Sequence, residues 1–130
     1  MVNDPISDMF IRIKNAQAVK KTTVVMPASK LKESIAKVLV ENKYVASYER
    51  KSAKPCDLLE LTLSYTNKEP VISHLRRVSK PGLRRYSGPA EFPRPLSGHG
   101  LVIVSTTQGV MSGAQAQKAG IGGEIIATVW

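Results

Sequence analysis

Val104-Ser105-Thr106-Thr107-Gln108-Gly109-Val110-Met111-Ser112 gathers four hydroxyl side chains, an amide and a glycine between two apolar segments, with no charge among them. Small residues beside Gly109 and Gly113 leave backbone N–H and C=O groups near the surface, where a partner can bond them directly. Hydroxyls both donate and accept, so the stretch suits sugar 2′-hydroxyls and base edges. It does not suit a phosphate-cradling P-loop, because no Gly-Lys-Ser/Thr follows the glycines. Taken by itself, it is equally an ordinary polar turn.

Three other places carry candidate chemistry. In His74-Leu75-Arg76-Arg77-Val78-Ser79-Lys80-Pro81-Gly82-Leu83-Arg84-Arg85-Tyr86, two arginine pairs flank a Lys-Pro-Gly turn. Neighbours on an extended strand face opposite ways, so each pair sends one guanidinium to each face. One of each pair can track phosphates through its planar fork, while the other packs or pairs internally. Tyr86 either stacks on a base or caps a sheet edge. The competing reading is a solvated basic hairpin with a core tyrosine.

Gly120-Ile121-Gly122-Gly123-Glu124 is next. Gly120 can end a helix in the left-handed conformation. Gly122 and Gly123 allow either close backbone approach or a bulge. Glu124 is the lone acid of the last 36 residues; it either orients nearby hydroxyls or an arginine, or serves as a buried salt-bridge partner. Ser29 and Lys30, at a helix start, offer an anion site of backbone N–H groups and an ammonium, or an ordinary cap beside a solvated lysine.

The charge balance favours a polyanionic partner. Nineteen Lys and Arg stand against ten Asp and Glu, a net of +9 over 130 residues, which points first to nucleic acid. The excess is concentrated mid-chain: residues 71–95 hold six basic groups and one acid, whereas residues 96–130 hold only Lys118 and Glu124. Catalysis has little to stand on. No pair of carboxylates and no His-rich cluster presents itself, His74 and His99 are far from the single Cys56, and one cysteine excludes an internal disulfide or a cysteine zinc site. No apolar run reaches the roughly 20 residues of a membrane span. The N-terminus lacks the basic-then-apolar order of a secretory signal. The expectation is a soluble chain without cofactors, kept in the compartment where it is made.

The elements that must position these residues are legible in outline. Asp4 caps a first helix with Pro5 at its first position and Asp8 near its positive end, and Ile6, Met9, Phe10 and Ile13 face the core. Thr22–Pro27 reads as a strand. Ser29 caps a second helix with Leu31, Ile35, Val38 and Leu39 on one face, and with Lys30, Lys32, Glu33, Lys37 and Glu41 mostly outside it. Tyr44–Glu49 and Asp57–Tyr65 read as strands, the second alternating Leu59, Leu61 and Leu63 with polar residues.

The resulting α-β-α-β-β lobe ends near Thr66–Pro70, dividing the chain into 1–67 and 68–130. The second lobe is mostly β: strands over Val71–Ser79, Leu83–Tyr86, Leu101–Thr106 and Gly122–Trp130. It has an irregular Gly/Pro-rich stretch over 87–100 and one short helix closing at Gly120. The fold class is α+β, with one lobe packed on the other.

Five blocks in this order and spacing, DPISDMFIRIKNAQ, PASKLKESIAKVL, VSKPGLRRY, GHGLVIVSTTQGVMS and AGIGGEI, resemble the bacterial-type ribosomal protein number eight of the small subunit. The resemblance covers nearly the whole chain. It implies a non-enzymatic primary binder of 16S rRNA in its central domain that nucleates platform assembly. In some bacteria such proteins also repress translation of their own operon mRNA. It also implies neighbouring small-subunit proteins as partners, number five among them, and a monomer away from the ribosome. The expected location is the cytoplasm, in the small subunit, with an organellar ribosome as the other setting.

By position, the family's Ser-Thr-Ser-Lys-Gly loop, which meets an irregular rRNA helix, falls on Ser105, Thr106, Thr107, Gln108 and Gly109. The matching tyrosine is Tyr86 and the supporting glutamate Glu124, beside Gly122 and Gly123. Ser29 and Lys30 match a lesser contact, and Arg77, Arg84 and Arg85 are the candidate phosphate ligands. Three departures stand out: Thr107 for serine, Gln108 for the usual lysine, and His99 for a common leucine. A nucleotide-binding enzyme and a general nucleic-acid-binding module are the competing classes. Nucleotide-dependent stabilisation without RNA would favour the first, and equal affinity for duplex DNA the second.

Overall fold

The computed structural model of the protein describes residues 4–92 and 100–130. The expectations for His99 and for most of the Gly/Pro-rich stretch lie outside the described residues. The chain divides into two compact units, Asp4–Ile72 and Ser73–Trp130.

The first unit contains α1 (Pro5–Ala18), β1 (Thr23–Pro27), α2 (Lys30–Glu41), β2 (Val45–Lys51) and β3 (Leu58–Leu63). A small hairpin of β4 (Tyr65–Thr66) and β5 (Glu69–Pro70) follows. Asp4 caps α1 by accepting from the Ile6 amide at 3.2 Å, and Pro5 opens the helix where its missing N–H costs nothing. Ile6, Met9, Phe10 and Ile13 are all buried. β1 and β2 flank β3 in an antiparallel sheet. Leu59, Leu61 and Leu63 are buried while Leu58, Glu60 and Thr62 are half-buried, the period-two signature of a sheet covered on one face. The segment read as a boundary, Thr66–Pro70, is a tight hairpin. Its central residues Asn67 and Lys68 both take positive φ, 52° and 67°, as a type I′ turn requires.

One helix-face assignment is corrected. Leu31 is exposed, and Lys32, expected outside the apolar stripe, is buried. Lys32 lies three, four and seven residues before the buried Ile35, Ala36 and Leu39, so helical geometry puts it on the covered face. Its ammonium donates to the Pro27 carbonyl at 3.0 Å, which satisfies the buried charge. Burial lowers its pKa, and Asp8 partly opposes that shift.

The second unit contains β6 (Leu75–Arg77), β7 (Tyr86–Ser87), β8 (Leu101–Thr106), β9 (Gly109–Ser112), α3 (Gly113–Ala119) and β10 (Gly123–Val129). Its antiparallel sheet runs β6-β10-β8-β9, with β7 also on β10. Ile125 through Val129 are buried without alternation, as befits a central strand covered on both faces. A register shift between Ile125 and Ala127 marks a bulge. Val102, Val104, Ala116 and Ile125 form a buried cluster against which Val78, Phe92, Met111 and Ile121 pack. α3 is fixed at both ends: Ser112 and Gln115 form a reciprocal capping box, and Gly120 closes it at φ 74°.

Two expected segments differ. The strand read over Leu83–Tyr86 begins only at Tyr86, because Leu83 is bridged back to Lys80 in a tight turn. The stretch from Ser105 to Gly109 is the tip of a β8–β9 hairpin rather than a loop, since Val110 and Met111 continue pairing opposite Ser105 and Val104.

Candidate nucleic-acid interface

β6 and β7 lie end to end along one edge of β10. Arg76 pairs with Thr128 and Arg77 with Ala127, whereas Tyr86 pairs with Glu124 and Ser87 with Gly123. Between them the chain leaves the sheet as a basic excursion over Ser79–Arg85. Ser79 is fully buried, and its hydroxyl accepts from the Arg85 amide at 2.8 Å and donates to the Arg85 carbonyl at 3.2 Å. That one hydroxyl clamps the two ends of the excursion, so the arginines beyond it stand on a fixed base. Ser79 carried no role in the sequence reading; a polar residue between Val78 and the Lys-Pro-Gly turn was its only signal.

Across β10 lies β8. Glu124 is in register with Ser105 on one side and with Tyr86 on the other. Three residues separated by up to 38 positions thus form one row across three strands. Tyr86 is 72% exposed, which rules out the core-tyrosine reading and leaves its ring open to a partner. Glu124 is not fully buried; its carboxylate accepts from Arg84 Nη1 at 3.2 Å, the orienting role foreseen for it.

The glycines are needed because the strands come close. A Cβ at Gly122 would meet the Ser87 carbonyl oxygen at 2.5 Å, and one at Gly123 would collide with the Ser105 carbonyl oxygen. These glycines let β7 and β8 approach the start of β10, and that approach sets the Ser105–Glu124–Tyr86 row.

At the hairpin tip, Thr106 pairs with Gly109, leaving Thr107 and Gln108 as a two-residue turn. Gly109 has a φ of 112°, a conformation other residues rarely adopt. The Thr106 hydroxyl accepts from the Gln108 amide at 3.1 Å and donates to the Gly109 carbonyl at 2.8 Å. It is therefore committed to holding the turn. Ser105, on the row beside Glu124, and Thr107, at the exposed tip, are the hydroxyls placed to meet a partner.

The four arginines of the excursion and its flanks divide. Arg84 is bound to Glu124. Arg77 donates to the Ile126 carbonyl at 2.8 Å, an internal anchor of the kind expected for one member of each pair. Arg76 and Arg85 are exposed and, with Lys80, line a groove beside the sheet. Arg76 and Lys80 were counted in the basic segment but not singled out; their convergence depends on the excursion folding back.

Ser29 and Lys30 belong to the other unit. Ser29 caps α2 by accepting from the Lys32 amide at 3.2 Å, and Lys30 is exposed at the helix start. Among the described residues, no cluster of His, Cys, Asp or Glu could hold a metal, and no helix is long and apolar enough to cross a membrane.

A glycine-fitted sheet edge presenting hydroxyls, an aromatic ring and cations is a surface for contact and not a catalytic pocket. Over residues 4–130 the chain matches the family described as Ribosomal protein S8. It is 50% identical over 129 residues to the small ribosomal subunit protein uS8 of Teredinibacter turnerae, covering 99% of this chain and 98% of that one. The uS8 protein of Coxiella burnetii is also 50% identical, over 99% of both chains. That of Acidithiobacillus ferrooxidans is 49% identical over 98% of both. The chain belongs to the ribosomal protein S8 family, whose role is that of a structural, non-enzymatic constituent of the small ribosomal subunit.

Proposed function

We propose that the protein is a primary binder of 16S rRNA in its central domain, through the β8–β9 hairpin and the Ser105–Glu124–Tyr86 row. The observation that carries this reading is the row itself: three residues distant in sequence brought into register, with an exposed tyrosine at one end. Ser105, Thr107 and the backbone near Gly109 offer the mixed donors and acceptors that read 2′-hydroxyls and base edges. Tyr86 offers a face for base stacking, a contact typically worth about 1–3 kcal/mol.

Gln108 leaves the tip uncharged, so recognition there is by shape and hydrogen bonding, while cations along β6 and the excursion supply salt-sensitive attraction. Ser29 and Lys30 make a lesser contact from the other unit. Bound in this way, the protein nucleates the platform of the subunit beside ribosomal protein number five. The same face serves a matching structure in its own operon mRNA, and away from RNA the protein is a monomer.

Replacing Ser105 by alanine tests the reading. With a fragment of the central-domain helix, affinity falls by about 1 kcal/mol or more, as for a lost hydrogen bond in a buried interface. Wild-type affinity in a filter-binding assay would remove the hairpin from the interface.

A further inference from the structure

The groove beside β6 has a volume of about 450 Å³ and is lined by Arg76, Arg77, Val78, Lys80, Leu83, Arg85 and Thr128. No carboxylate is among them. Glu124, the acid nearest along β10, is already engaged by Arg84. Arg76 and Lys80 enter from opposite sides, one from the sheet and one from the excursion, and Arg85 sits where Ser79 clamps the chain. Cations gathered around one concavity repel each other, and an anion seated between them relieves that repulsion. The apolar walls from Val78 and Leu83 strengthen the attraction by excluding water. The clamp meets part of the ordering cost before binding.

We propose that this groove is a phosphate site that seats a phosphodiester of the bound RNA. The inference rests on the reading of the hairpin row as an RNA interface. It extends that interface along β10 from Glu124 to Thr128, four residues or about 13 Å in an extended strand. Arg85 is the link, immediately preceding Tyr86 in the chain. The division of labour is then spatial: the row reads shape, and the groove holds backbone.

The test compares Arg76→Gln/Lys80→Gln with Ser105→Ala and wild type, each against the cognate helix and a scrambled helix over a range of salt. The double variant flattens the slope of log K against log salt by about 1.5 and keeps the preference for the cognate helix, since each phosphate contact is worth about 0.7–0.9 of slope. Ser105→Ala does the reverse. A double variant with the wild-type slope, alongside a weakened Ser105→Ala, overturns the groove and leaves the hairpin standing. A wild-type protein with no preference for the cognate helix overturns both.

Tripolyphosphate is added in a parallel titration, followed by the Nε–H signals of Arg76 and Arg85. Shifts there combined with an unchanged RNA slope would assign the groove to a free polyphosphate and overturn the RNA reading. Arg76 and Lys80 are exposed, so the variants fold. The single Lys80→Gln, expected to flatten the slope by about 0.8, guards against any loss from Arg76.

Discussion

The two units use arginine in opposite ways. In Asp4–Ile72 both arginines are ion-paired: Arg12 to Asp8 at 2.9 Å, and Arg50 to Glu33 and Asp57 at 3.1 and 3.0 Å. These pairs are partly exposed and tie a helix turn, or a helix and a strand, to themselves. In Ser73–Trp130, Arg84 is held by the one acid of the row, while Arg76 and Arg85 face a groove with no acid in its lining. Net charge therefore identifies the partner class only loosely. Cations that the fold leaves without carboxylates show more directly where a polyanion goes.

The backbone tells the same difference. The first unit closes its sheet with alternating leucines under helices, whereas the second brings strands together over glycines that admit no side chain. Adding one methyl at Gly123 is the strongest way to break this contrast. Gly123→Ala forces the Ser105 carbonyl away, destabilising the second unit by about 1–3 kcal/mol as overpacking does. It also lowers RNA affinity, because the row loses its register. Thermal unfolding and filter binding check both effects; wild-type values in each would mean that the close approach is not needed.

The smallest effect is expected from Arg50→Gln, which sharpens the contrast from the other side. Its partners raise the Arg50 pKa, the Asp57 hydrogen bond first and the Glu33 hydrogen bond second, but the charge is spent internally. Its removal leaves the salt slope of RNA binding unchanged. A slope as flat as that of the groove variant would erase the distinction between the units.

Much of the first unit was legible because its signals are local. Asp4-Pro5 announces α1, and Leu59, Leu61 and Leu63 announce a strand with one covered face. Lys32 was misplaced because the first turn lies at the margin of the apolar stripe, where a residue three before Ile35 is covered as readily as one four before it. The second unit was legible in its motifs and not in their assembly. Ser105, Tyr86 and Glu124 were each marked out, but the register that aligns them arises from pairing across three strands, which no local pattern encodes. The hairpin was read as a loop because hydroxyls and glycine dominate its tip, although Val110 and Met111 continue the ladder. The groove escaped notice for a similar reason: Arg76 and Lys80 meet only because Ser79 folds the excursion back.

The central claim is that RNA is read at the Ser105–Glu124–Tyr86 row and the tip beside it. Titrating isotopically labelled protein with the central-domain rRNA helix, and following every backbone amide by nuclear magnetic resonance, tests it most directly. The largest shifts are expected at Tyr86, Ser105, Thr107, Gln108, Gly109 and Glu124, with smaller ones at Ser29 and Lys30. Shifts confined to Asp4–Ile72, with the hairpin and the row unmoved, would contradict it.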